Sequence, residues 1–237
     1  MLEWPQAFTI PRGIDALQLQ GGLIRSENTN MERALWFFDL ISPFSYLHYH
    51  KLKPLRERLE IQAVPVLFAG FLKHWGTKGP AEIPSKRLHT YQYCVWAAMQ
   101  QGVAFRMPPR HPFNPLAAQR LLVALGATDS AVEAAFHFVY GEGRDPEYDL
   151  PALAERLNVT DVGELIAKPE VKEQLLRNTQ AAIDQGVFGV PTLVFRNRIF
   201  WGSDTVDWAQ QFLNQPDLFQ QNEYEAPTKT EFGIARK

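Results

Sequence analysis

The sequence predicts an α/β domain interrupted by a long helical insertion, on three observations. A short apolar run at 34–40 precedes a helical pattern at 46–59 and a second apolar run at 61–68. From about 71 to 185, apolar residues recur at helical rather than alternating spacing. The chain then reads GVFGVPTLVFRNRIFWGSDTVDWAQQFL, two short apolar stretches around Asn197 followed by a helix.

The run at 34–40 reads as a buried strand. Leu52, Leu55 and Leu59 are spaced for one face of the following helix, and Pro54 inside it predicts a kink or break. Pro65 argues that the second strand is an edge or irregular strand. Candidate helices lie at 87–101, 115–125, 130–140, 150–157, 161–167 and 169–185. Gly102, Gly126, Asp149, Pro169 and the Asn114-Pro115 pair act as start or stop signals. Residues 192–196 and 198–201 flank Asn197 as a tight hairpin. Ser203 or Asp204 then caps a last helix containing 206–213.

Residues 1–33 hold scattered Pro and Gly, show no sustained periodicity and lack the basic-then-apolar order of a signal peptide. They are expected to be a poorly ordered extension, with Met31 a candidate start of translation. Residues 214–237 read as a polar, frayed tail.

Bulk properties narrow the function. The net charge of -2 with no basic block removes the electrostatic case for nucleic-acid binding. No apolar run approaches the roughly 18 residues of a membrane span. Cys94 is the only cysteine, so an intrachain disulfide and a cysteine-based zinc site are excluded. That usage suits a reducing, cytoplasmic setting. Cys94 itself sits in an apolar helix and reads as core. His48 and His50, two apart on a helix, point to different sides and make a poor metal pair, so no metal site is expected. Tyr91, Trp96 and Phe105 read as packing residues of the insertion, and GEGRDPEYD at 141–149 as a solvated connection.

Two stretches carry chemistry. In WFFDLISPFSYLHYH a strand containing Asp39 stops at Ser42-Pro43-Phe44-Ser45, and a helix follows. Serine is a favoured N-cap and proline a favoured first helical residue. The plain reading is a well-made helix start. The functional reading is that free N–H groups and the helix dipole stabilise an anion there, a thiolate included. With no cysteine in this segment, the thiol must come from a ligand. The second stretch is Gly189-Val190-Pro191-Thr192, where a proline just before a strand is compatible with a cis bond.

WFFDLISPFSYL, GVFGVPTLVF and FWGSDTVDWAQQFL, in this order, resemble the 2-hydroxychromene-2-carboxylate isomerases and kappa-class glutathione transferases, relatives of the DsbA-like disulfide oxidoreductases. GPAEIPSKR and HPFNPLAAQRLLVAL add to the resemblance inside the insertion. It implies a thioredoxin-like fold with a large all-helical insertion between an N-terminal β-α-β part and a C-terminal β-β-α part. The implied divisions are 34–72 with 180–213 for the thioredoxin-like domain and 73–179 for the insertion.

The resemblance also implies a glutathione site. Ser42 matches the catalytic serine beside the glutathione sulfur, with Pro43 and Phe44 next to it. Val190 matches the residue whose backbone pairs with the cysteinyl part, and Pro191 the cis-proline. Trp201, Gly202, Ser203 and Asp204 match the segment holding the γ-glutamyl end, where a hydroxyl, a carboxylate and helix N–H groups suit an ammonium and a carboxylate. In Gly76-Thr77-Lys78-Gly79-Pro80, Thr77 stands where relatives often carry a glutathione-binding asparagine. It keeps a hydroxyl and loses the amide. Lys73, Phe113 and Asn114 fall near substrate-contacting positions. A homodimer is expected from the relatives.

The implied reaction uses glutathione as a borrowed nucleophile. Ser42 donates a hydrogen bond to the sulfur, and the helix dipole favours the thiolate. Each unit of lowering from a thiol pKa of about 8.5 is worth about 1.4 kcal/mol. The thiolate adds to a conjugated carbon of a chromene or aromatic pyruvate, rotation follows, and elimination returns glutathione. The substrate pair implied is 2-hydroxychromene-2-carboxylate and trans-o-hydroxybenzylidenepyruvate-type compounds of aromatic catabolism. Two alternatives stand beside this: a kappa-like transferase or peroxidase, and a thiol-peptide-binding module without turnover.

Overall fold

The computed structural model describes residues 31–231, 233 and 234. The expected extension at 1–33 lies almost wholly outside the described residues, and Met31 itself precedes the first strand.

Strand β1 (Glu32–Phe38) pairs in parallel with β2 (Leu59–Pro65) and antiparallel with β3 (Thr192–Phe195); β3 pairs antiparallel with β4 (Arg198–Trp201). The sheet order is β2-β1-β3-β4, so β2 is an edge strand and tolerates Pro65, as its sequence implies. Arg196 and Asn197 both have positive φ, 48° and 58°, which is the geometry of a two-residue hairpin turn. The alternation of side chains along β1 divides the core. Trp36 and Phe38 face a large cluster with Leu47, Phe136, Leu193 and Phe200, while Phe37 faces a smaller one with Val64, Phe71, Ala182 and Val194.

The helix expected at 46–59 is two helices, α1 (Pro43–Lys51) and α2 (Lys53–Arg56). Pro54 lies in the first turn of α2, where its missing N–H costs nothing, and the chain breaks at Leu52. Leu59, read as helical, is instead the buried first residue of β2, opposite Glu32. The predicted strands at 34–40 and 61–68 each end earlier than expected, because the sheet pairs 32–38 with 59–65 in register.

The helical block follows as α3 (Phe68–Trp75), α4 (Pro84–Gln101), α5 (Leu116–Ala124), α6 (Asp129–Phe136), α7 (Leu150–Arg156), α8 (Val162–Ala167) and α9 (Pro169–Asp184). Buried amides fasten it to the ends of β1 and β2. Gln119 Nε2 donates to the carbonyls of Phe38 and Val66 at 3.2 and 2.8 Å, and Asn178 Nδ2 to that of Pro65 at 3.0 Å.

Several packing expectations change. Trp96 is 55% exposed rather than part of the insertion's core, while Phe105 stacks on Tyr140 at 5.8 Å. Asp145, in the connection expected to be solvated, is buried and pairs with Arg110 at 2.8 Å. Thr205, not Ser203 or Asp204, occupies the N-cap position of α10 (Val206–Asn214). Its hydroxyl donates to the Gly202 carbonyl at 3.0 Å, because the tight turn at Gly202 (φ +94°) sets the helix start one residue later. The tail also departs from the frayed reading. Leu218 is buried, and Phe219 and Tyr224 pack on Trp208 at 5.3 and 6.4 Å between ring centres. Apolar residues at 218, 219 and 224 cover the outer face of α10. Cys94 is fully buried, as expected, and its thiol is pushed up to about 12 by burial.

Candidate functional site

Ser42 ends the β1–α1 turn in extended conformation, and its Oγ accepts the Ser45 N–H at 3.2 Å. The hydroxyl therefore acts as an N-cap through its oxygen and keeps its own proton free to donate. Pro43 brings no N–H, and the Phe44 N–H, in the first turn, has no intrahelical acceptor. A neutral donor, a free amide and the positive end of a nine-residue helix thus meet at one point.

That point opens into a cavity of about 160 Å³. Its walls include Ser42, Pro43 and Phe44 from the start of α1, Phe68 and Leu72 from α3, and Val190 from the loop before β3. The Val190–Pro191 bond is cis, as its sequence suggested. The cavity walls are mainly apolar, suited to an aromatic or alkyl group beside a polar reacting atom. A larger cavity, about 330 Å³, lies against Tyr46, Tyr49 and His50 and touches none of the residues singled out in the sequence as a site.

Behind Ser42 sits Asp39, which is 1% exposed. Burial pushes its carboxyl up to about 7, against two backbone hydrogen bonds, from Phe68 and Ile41, that favour the charged form. His48, on the buried side of α1, accepts the Trp36 indole N–H at 3.0 Å, and burial pulls its pKa down to about 3.

The other sequence-derived residues separate into two groups. Trp201 to Asp204 adjoin the cis-proline loop without lining the cavity. The Gly202 N–H donates to the Pro191 carbonyl at 2.9 Å. Trp201 covers Gly189 so closely that a Cβ there would lie 2.7 Å from its Nε1. Ser203 is buried and its carbonyl accepts Lys51 Nζ at 3.0 Å; Asp204 is exposed. Lys73, Thr77, Phe113 and Asn114 are not among the cavity walls. Lys73 and Thr77 are exposed, one beside the wall residue Leu72, the other closing the end of α3 by donating its N–H to the Leu72 carbonyl at 3.0 Å. Phe113 is buried edge-on against His111, and Asn114 is exposed, its Oδ1 accepting the Leu116 N–H.

The cavity also holds groups the sequence reading missed: Tyr91 and Thr90 from α4, Glu82, and His111 with Pro112, a second cis X-Pro pair. His111 Nε2 lies 2.6 Å from the Ile41 carbonyl, which also accepts the Tyr140 hydroxyl at 2.8 Å. His111 Nδ1 lies 2.7 Å from the Tyr91 hydroxyl. The only local signal for this cluster was the HPFN stretch, read through Phe113 and Asn114.

Residues 35–214 match the family model of the DSBA-like thioredoxin domain. Among curated proteins, the chain is 30% identical to glutathione s-transferase kappa 2 of Caenorhabditis elegans over 212 residues, covering 79% of this chain and 94% of that protein. It is 28% identical to 2-hydroxychromene-2-carboxylate isomerase of Sphingobium xenophagum over 194 residues, covering 75% and 96%. Among solved structures, a 2-hydroxychromene-2-carboxylate isomerase superposes with a TM-score of 0.70 at 23% identity, covering 84% of this chain and all of that one. The likeness in structure establishes the thioredoxin-like fold.

Proposed function

Given that the chain belongs to the DSBA-like thioredoxin domain family, with kappa-class glutathione transferases and 2-hydroxychromene-2-carboxylate isomerases as its relatives, we propose that it is a glutathione-dependent isomerase of conjugated aromatic compounds. The observation that carries this reading is Ser42. Its oxygen is occupied by the Ser45 N–H while its proton is free, at a helix N-terminus that opens into an apolar cavity facing the Val190–Pro191 cis bond.

In this reading the glutathione sulfur sits at Ser42 and accepts its O–H. The cysteinyl backbone pairs with Val190, and the γ-glutamyl end reaches Ser203 and Asp204. Thr77 and Lys73 border the approach to the cavity, and Phe113 backs the loop that carries His111. The thiolate adds to a carbon conjugated with a carbonyl, the carbon–carbon double bond becomes single, and the electron pair moves to the carbonyl oxygen. Rotation and expulsion of the thiolate then give the other isomer, with no net change in glutathione. Ser42 forms no bond to carbon in this scheme; no histidine or carboxylate bonds to its Oγ among the described residues.

A transferase that retains the thioether is the second reading. The specific observation favouring it is the cavity wall, where the described residues include no lysine or arginine to pair with a substrate carboxylate. A neutral aromatic electrophile needs no such partner.

The deciding experiment is initial-rate isomerisation of 2-hydroxychromene-2-carboxylate with and without glutathione, for wild type and Ser42→Ala. Glutathione-dependent turnover that collapses in the variant supports the isomerase. Inactivity on this substrate, with conjugation of neutral aromatic electrophiles, selects the transferase. Absence of both activities and of any glutathione-induced rise in melting temperature refutes the glutathione site.

A further inference from the structure

In the glutathione reading Ser42 holds a thiolate but cannot make one, because its hydroxyl donates to the sulfur and, among the described residues, no base bonds to it. The thiol proton therefore needs an acceptor within the same cavity, and the hydrogen-bond directions at two other residues that line it, Tyr91 and His111, identify one. The Ile41 carbonyl can only accept, so the His111 nitrogen 2.6 Å away, Nε2, carries the imidazole proton. Nδ1 of the neutral ring is then an acceptor, and the Tyr91 hydroxyl 2.7 Å away donates to it, with the His111 carbonyl as a second acceptor at 2.8 Å. Once its single proton is directed at His111, the Tyr91 oxygen presents only lone pairs to the cavity.

We propose that Tyr91 and His111 together accept the thiol proton of glutathione bound at Ser42, a role that rests on the glutathione reading above. The sulfur–hydrogen bond breaks as Tyr91 Oη takes that proton, and the phenolic proton of Tyr91 passes to His111 Nδ1. The products are a thiolate held by Ser42 and the α1 N-terminus, and an imidazolium whose Nε2–H still donates to Ile41. No further reactant is required, and when glutathione leaves, the proton returns by the same path.

The surroundings suit the role. Burial holds the His111 pKa below its ordinary value against the Ile41 hydrogen bond, so the resting ring is neutral with Nδ1 unprotonated, and the attraction of the thiolate formed in the same cavity is what offsets the cost of the imidazolium. The ionisable groups around the pair are Arg87 and Cys94 on α4, Tyr140, Asp39 and Glu82. Asp39 is the rival acceptor, but both of its oxygens accept backbone N–H groups and it does not line the cavity. Glu82 lines the cavity but is exposed and accepts the Gly79 N–H at 2.6 Å.

The test is a pH titration of the ultraviolet thiolate band of bound glutathione in wild type, Tyr91→Phe and His111→Gln, with S-methylglutathione affinity measured in parallel. The methylated ligand has no thiol proton, so it reports the binding site alone. Both variants are expected to raise the midpoint by about one pH unit, a tenfold loss of thiolate below it, while binding S-methylglutathione as wild type does. Superimposable titrations in the three proteins overturn the proposal, as does a parallel loss of S-methylglutathione affinity, which marks a structural role. Tyr91→Phe keeps the ring and removes one oxygen, so it carries the test if His111→Gln folds poorly. Failure of wild type to bind either ligand refutes the glutathione reading itself, and the proposal with it.

Discussion

One oxygen of the Asp39 carboxylate accepts the backbone N–H of Phe68 at 2.9 Å, and the other accepts that of Ile41 at 3.1 Å. A single buried side chain therefore ties the β1–α1 turn, which ends at Ser42, to the start of α3, which forms another wall of the cavity. Its pKa in the fold, about 7, lies above that of the unfolded chain. The stabilisation is therefore fully present below about pH 4 and is lost as pH rises through the folded value. Relative to Asp39→Asn, wild type is expected to lose a few kcal/mol between about pH 4 and 7 and nothing further above that. Urea midpoints of the two proteins across this range check it; a constant difference would mean that Asp39 is ionised in the fold throughout.

His48 works in the opposite direction. Its folded pKa, about 3, lies below the unfolded value, so its contribution is complete above about pH 6.5 and is lost as pH falls. At pH 5 the loss is about 2 kcal/mol. His48→Asn retains an acceptor for the Trp36 indole N–H and should flatten this acid limb. Because the two groups oppose each other, wild-type melting alone conceals both, and the comparison needs the two variants.

The capping and chemical roles of Ser42 are separable. Ser42→Ala is expected to cost about 1 kcal/mol of stability through the lost cap. Ser42→Asp keeps a capping oxygen for Ser45 but sets a negative charge against the sulfur. It should melt near wild type and yet lose glutathione-dependent turnover at least as fully as the alanine variant. Wild-type turnover in Ser42→Asp would remove Ser42 from the sulfur.

The tail should contribute to stability. Leu218 is 1% exposed beneath α10, and Leu218→Ala is expected to cost about 2–4 kcal/mol. Chemical denaturation measures it; a loss under about 0.5 kcal/mol, the range of an exposed surface change, would mean that the segment is undocked in solution.

Much of this molecule was legible as local pattern. Ser42-Pro43 announces a helix start, Asn197 a tight turn that in the structure also takes in Arg196, and Pro65 an edge or irregular strand, because each acts through its own backbone or its immediate neighbours. The reading failed where a distant surface decided the outcome. Trp96 lies on an apolar stretch of α4 yet faces outward. Leu218 lies in a polar tail yet is buried, since α10 presents Trp208 and Phe212 to that segment.

The sequence by itself determined the order of elements, the free helix N-terminus at Ser42 and the lack of any cysteine there. Only the tertiary structure decided what faces Ser42. His111 lies 70 positions from Ile41 and 20 from Tyr91; one hydrogen bond joins the insertion to the β1–α1 turn, and the other joins α4 to the loop before α5. Such contacts leave no cap, period or turn signal in the chain, because they arise where separate elements pack together rather than within any one of them.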